Sequence, residues 1–178
     1  VNKKHRSDFV IPVKDLLHQP GEMRELTVET VAPEKYGEAI AVVQASTPLR
    51  LDLRLEGLHE GILATGEITT VAGAECVRCL DPFELPLQVD FQELFAYSSP
   101  EADSYLVEHD TLDLEGIIRD AVVLDLPFQP VCKDSCFGLD PATGEKRTSA
   151  STSTEHEAID PRWQELSKLL ESDSPEAS

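Results

Sequence analysis

Aromatic side chains are scarce in this chain of 178 residues, at 6%, and there is a single tryptophan, Trp163. No strand combines basic and aromatic residues, so the sequence offers no platform on which RNA bases would stack. Cations are equally few: 15 Lys and Arg stand against 34 Asp and Glu, for a formal charge of −19. The imbalance is uneven. Between Cys79 and Cys132 there are twelve acidic residues and one basic one, Arg119, whereas residues 1–35 balance six against six. Counterion release on a polyanion needs clustered Lys and Arg, which the middle of the chain lacks. The arm carrying Lys3, Lys4 and Arg6 reads as solvated, with phosphate contact its alternative. No run approaches the roughly 18 apolar residues of a membrane span. The basic N-terminus is not followed by an apolar stretch of signal type, so a cytoplasmic protein without membrane contact is expected. A phosphate-binding glycine loop and a nucleophile elbow are also missing. The five histidines, His5, His18, His59, His109 and His156, fall on expected loops and ends in no triad or metal-helix spacing.

What is present begins with four cysteines in two pairs. Cys76 and Cys79 are separated by two residues; Cys132 and Cys136 by three. In a reducing compartment such pairs bind metal or do redox work before they form structural disulfides. Tetrahedral zinc takes four ligands, and two close pairs supply them. The interval between the pairs is much longer than the roughly 15–20 residues of a compact zinc ribbon, so the chain must travel out and back between them. Arg78 and Lys133 lie inside the motifs, where they would offset the charge of four thiolates on a divalent ion or donate to sulfur. Structural zinc on Cys76, Cys79, Cys132 and Cys136 is the leading reading. Metal-free packed thiols and a redox pair are the alternatives. A thioredoxin-type pair should open a helix, which lowers the thiol pKa, yet Leu80-Asp81-Pro82 leads into a strand.

Hydrophobic periodicity gives the frame. Phe9–Val13, with Pro12, reads as an edge strand. Met23–Val31 and Ala39–Val43 read as strands. Leu49–Glu56 alternates leucine and charge without a fault, the period of a half-buried antiparallel strand. Ile62–Val71 is extended by its β-branched residues. A second alternation follows from Leu85 to Phe91, with Pro86 marking an edge or an outward position. The first cysteine pair therefore sits at the tip of a hairpin. Residues 97–110 read as a surface loop around a short extended piece, Ser104–Val107. The period then changes: Leu114, Ile117, Ile118, Ala121 and Val122 place an amphipathic helix over 112–126, capped by Thr111 or Asp113. Pro127 and Pro130 end it and deliver an extended chain to Cys132. Gly138–Gly144 is turn-rich. The predicted layout is one β-rich domain over 1–140, a Ser/Thr-rich linker over 141–160, a C-terminal helix over 161–171 with Trp163, Leu166, Leu169 and Leu170 on its apolar face, and a disordered tail over 172–178.

Leu58 through Phe83, with its apolar-Glu-Gly-Leu opening and its Glu-Cys-x-Arg-Cys-Leu-x-Pro-Phe ending, resembles the signature of the YceD family of large ribosomal RNA subunit accumulation proteins, in its actinobacterial type. The start at Phe9, Leu-x-Leu-Pro at 124–127, Cys132 through Leu139, and Asp160-Pro161-Arg162-Trp163-x-x-Leu166 fit as well. The resemblance covers nearly the whole chain. It implies a role in the synthesis, processing or stability of bacterial 23S rRNA, and family genes commonly neighbour one for a small basic large-subunit ribosomal protein. Many members carry a third pair, Gly-Leu-Cys-Pro-x-Cys-Gly; here those positions are Asp140 and Thr143, so no metal site relying on them is available.

The expectation is therefore an α+β fold on a twisted antiparallel sheet, open or curled into a partial barrel, with one packed helix and a short C-terminal one. The expected function is a non-enzymatic factor in large-subunit ribosome biogenesis that works through a basic ribosomal or assembly protein, with rRNA engaged indirectly. Partner contact is expected from Arg78, Asp113, Glu115, Asp120 and Trp163, the last chiefly an anchor of its helix. The rival expectation is an enzyme, either a thiol-disulfide oxidoreductase or an RNA-processing one, using the cysteine pairs.

Overall fold

The computed structural model describes residues 6–38, 40–98, 105–141 and 143–148. The chain divides into two compact units, Val1–Gly138 and Leu139–Ser178. In chain order the first unit contains β1 (Val10–Pro12), β2 (Met23–Val31), β3 (Ala41–Val42), β4 (Pro48–Gly57), β5 (Gly61–Glu75), β6 (Pro82–Ala96), β7 (Tyr105–Leu106), β8 (Thr111–Asp113) and α1 (Glu115–Asp125).

The main sheet runs in the order β2-β4-β5-β6-β7, with β3 pairing the far end of β5. It is open: β2 and β7 lie at opposite edges, so the partial barrel does not close. All its pairs are antiparallel except β6 with β7, which are parallel at Phe95–Tyr105 and Ala96–Leu106. The sheet is thus mixed rather than purely antiparallel. A tight hairpin cannot join parallel neighbours, and residues 97–104 separate β6 from β7.

Alternation decides which face is buried. Leu49, Leu51, Leu53 and Leu55 of β4 are at most 3% exposed, while the charged residues between them face outward. Ile62, Ala64 and Ile68 of β5 and Leu87, Val89, Phe91 and Phe95 of β6 continue the same inner face. Burial of a side chain of this size stabilises the fold by about 1.5–3 kcal/mol. Gly66 lies at the centre: a Cβ there would come within 2.5 Å of the Phe91 ring and 2.7 Å of Leu53. The missing side chain makes the room into which that ring packs.

Two further elements cover this face. β1 and β8 form a separate antiparallel pair, Val10↔Asp113 to Pro12↔Thr111, and insert Ile11 and Leu112 into the core. Helix α1 follows, with Ile117, Ile118 and Val122 buried. The helix expected over 112–126 is therefore shorter, because its first residues pair as strand β8. Its N-cap is Leu114, without a side-chain cap. Asp113 instead accepts from the Glu115 amide at 3.1 Å, and Thr111 donates back to the Glu108 carbonyl. No helix among the described residues is long and apolar enough to cross a membrane.

In the second unit, Leu139 bridges Lys146 across a turn closed by the Gly144 amide on the Asp140 carbonyl at 2.8 Å. The remainder of the expected 141–160 linker beyond Thr148, the helix expected over 161–171 with Trp163, and the tail over 172–178 lie outside the described residues.

Candidate metal centre

The two longest strands make the first half of the site. β5 and β6 pair over their whole length, from Gly61↔Ala96 to Glu75↔Pro82, so Cys76 to Asp81 form the corner at their far end. The corner is closed by the Cys76 amide on the Asp81 carbonyl at 2.9 Å and the Leu80 amide on the Cys76 carbonyl at 2.8 Å. Leu80 takes a left-handed φ of 58° to complete it.

The second half arrives after α1. The Val77 amide donates to the Pro130 carbonyl at 3.0 Å, which holds the incoming segment against the corner. The Cys136 amide donates to the Lys133 carbonyl at 3.0 Å and turns the chain between Cys132 and Cys136. Gly138, at φ +77°, ends the loop; a Cβ there would lie 2.8 Å from the Arg78 carbonyl oxygen. Arg78 joins the halves from its other end: its guanidinium donates to the carbonyls of Asp134 at 3.2 Å and Cys136 at 3.1 Å. The residue expected to offset thiolate charge or bond sulfur thus grips the backbone of the opposite loop.

These constraints bring Cys76, Cys79, Cys132 and Cys136 together, with all four Sγ atoms within 4.8 Å of one another. Cys76–Cys136 is 3.9 Å and Cys79–Cys132 is 3.8 Å. Both are far from the roughly 2.0 Å of a disulfide, and all four cysteines are free. A tetrahedron with metal–sulfur bonds of about 2.3 Å has edges of about 3.8 Å. The donor set therefore fits a tetrahedral thiolate-bound metal ion. Cys76, Cys79 and Cys136 are buried and Cys132 half-buried, with Phe83 and Val131 packed against them. Buried coordination by four protein ligands suits a structural ion, since a catalytic one keeps a position open.

The thiols are electrostatically unequal. The backbone N–H of Cys132, followed by those of Cys79 and Arg78, favours the Cys76 thiolate and lowers its pKa to about 6 against the pull of burial. Cys79 is pushed up to about 12: the Asp81 amide lowers it but is outweighed by burial and by the thiols of Cys76, Cys136 and Cys132. Burial also raises Cys132. Four sulfurs this close cannot all ionise without a cation among them.

The other expected contact residues do not converge here. Asp113 and Glu115 stand at the start of α1, and Asp120 is ion-paired with Arg119 at 3.0 Å. Trp163 lies outside the described residues. Among the described histidines, His18 packs against Tyr97 with ring centroids 4.3 Å apart and planes tilted by 45°, and none joins the cysteine group. Reading the sequence alone missed Gly138, taken there as the first residue of a turn-rich stretch. Its position two residues after Cys136 was the available signal.

A sheet-based α+β protein whose longest hairpin ends in a four-cysteine cluster is the class the fold and site define. Residues 64–170 match the family described as Large ribosomal RNA subunit accumulation protein YceD. The chain is 38% identical over 171 residues to the uncharacterized protein Rv2926c of Mycobacterium tuberculosis, covering 92% of this chain and 82% of that protein. It is 33% identical over 180 residues to ML1660 of Mycobacterium leprae, covering 97% and 82%. It is 25% identical over 166 residues to YlbN of Bacillus subtilis, covering 88% and 94%. No solved structure matches. The chain belongs to the YceD family.

Proposed function

We propose that this protein is a non-enzymatic factor of large-subunit ribosome biogenesis in the cytoplasm. On this reading it supports the synthesis, processing or stability of 23S rRNA by engaging a basic ribosomal or assembly protein, with rRNA reached through that partner. The observation that carries the reading is the family match over residues 64–170, which include both cysteine pairs. The net charge of −19 favours a cationic protein over bare RNA as the direct contact. Zinc on the four cysteines is a structural ion that locks the β5–β6 corner to the segment after α1.

One experiment tests both parts. The chain is purified from its host with a mild tag, metal is measured per chain, and co-purifying ribosomal components are identified at low and high salt. About one zinc per chain and a basic ribosomal protein released by salt are expected. A tight, salt-resistant complex with bare rRNA and no protein partner would overturn the reading. The enzymatic rival makes its own forecast for Cys76→Ser/Cys79→Ser: lost turnover with the fold intact. A structural site instead loses its metal and melts lower.

A further inference from the structure

Among the described residues, the long strand β6 leaves one edge bare over most of its length. Among the described residues it is paired on both sides only at Phe95 and Ala96, where the two residues of β7 lie alongside. From Val89 to Glu93 its second edge faces a groove of about 430 Å³, whose other wall is α1. Unpaired strand edges present rows of N–H and C=O groups that accept another strand.

The groove has a marked electrostatic character. Asp90, Glu93, Asp120 and Asp125 line it, with no Lys or Arg among its lining residues. Asp120 is held by Arg119, but Asp90, Glu93 and Asp125 have no ion-pair partner among the described residues. Asp125 is also the last residue of α1, a helix with no basic residue in its final turn. A carboxylate at the negative end of a helix dipole is unfavourable, so a cation there would relieve it. Tyr105, also on the lining, has its hydroxyl pKa raised first by burial and then by Asp120 and Glu93, against Arg119. Leu124 adds an apolar surface, 84% exposed.

We propose that the edge of β6 beside α1 is a docking site for an extended, cationic segment of a partner protein, which adds to the sheet as a strand in line with β7. Main-chain hydrogen bonds to residues 89–93 would supply affinity, and the carboxylates would select Lys and Arg. The same charges argue against a second copy of this chain as the occupant: two β6 edges meeting would set carboxylate against carboxylate. Pro86, which has no amide hydrogen, further blunts self-pairing. The inference rests on the reading that the partner is a basic protein, and it locates where that protein binds.

The test uses the full chain and a labelled ten-residue peptide alternating lysine and valine. Its control has the same charge, with prolines in place of the valines, and so cannot form a ladder. The alternating peptide is expected to slow amide exchange at Val89–Glu93 at least tenfold and to bind at least tenfold more tightly than the control. Asp90→Asn/Glu93→Gln/Asp125→Asn should weaken it at least tenfold while leaving metal content in place and the melting temperature no lower. Equal binding of both peptides, binding without protection of β6, or no binding at low salt overturns the site. Pull-down separates this from the wider reading. If the triple variant captures the basic ribosomal protein as well as the unmodified chain does, the groove is wrong and the function stands. If the unmodified chain captures none, yet the peptide still protects β6, the function is wrong and the groove stands.

Discussion

At the scale of single residues, the cysteine cluster depends on two groups that hold no metal. Arg78 reaches across to the carbonyls of Asp134 and Cys136, and Gly138 allows the chain to pass under the Arg78 carbonyl. A methyl group at position 138 meets that oxygen at 2.8 Å on a backbone already at φ +77°. Strain of about 1–3 kcal/mol is expected from the left-handed conformation alone. With zinc bound as proposed, Gly138→Ala should therefore move Cys136 and loosen the ion, which a chromophoric chelator would capture at least tenfold more readily. Gly144→Ala is the matched control, since that glycine is also left-handed, at φ +71°, with nothing within 4 Å of its would-be Cβ. Equal zinc loss from both variants would mean that backbone conformation, and not contact with Arg78, governs the site.

At the scale of elements, the strands were legible where alternation was clean and long. Leu49–Glu56 and Leu85–Phe91 both lie inside observed strands, and the hairpin tip fell at the cysteines as expected. The start of α1 was not legible, for a physical reason. Leu112 and Leu114 suit an alternating strand as well as a helix stripe, and only pairing of Thr111–Asp113 with β1 decides between them. Such pairing joins residues about a hundred positions apart and leaves no local trace. Gly66 was invisible in the same way: within β5 it reads as a weak point, yet it is the slot for Phe91. Gly66→Ala is expected to destabilise the protein by about 1–3 kcal/mol through overpacking, read as a lower midpoint in urea. Adding Phe91→Leu should return part of the loss. A double variant no more stable than Gly66→Ala alone would show that the ring is not what the glycine accommodates.

At the scale of the whole molecule, the convergence of the cysteines shows how far spacing alone can be read. The residue types pointed to a metal, but the separation of 53 positions from Cys79 to Cys132 gave no geometry. That geometry comes from β6, β8 and α1, which carry the chain away from the corner and back to it. Charge, by contrast, was legible as a total and not as a pattern. Register sets Asp52, Glu67 and Asp90 side by side on adjacent strands of the outer face. Asp52 is neutralised by Arg50 at 2.9 Å, and Glu67 accepts from Gln88 at 2.8 Å, so the row is eased but not balanced. Like charges directly opposite each other are destabilising, and a net charge of −19 adds repulsion spread over the surface. Raising sodium chloride from 10 mM to 150 mM shortens the screening length from roughly 30 Å to about 8 Å. The melting temperature should rise over that range, by about 2–4 °C for each kcal/mol relieved. Glu67→Lys should raise it at low salt and flatten its dependence on salt, because it places a cation between two carboxylates. A melting temperature indifferent to salt in both proteins would mean that the acidic surface exerts no strain on the fold. The charge would then be left to solubility and to the basic segment assigned to the β6 edge.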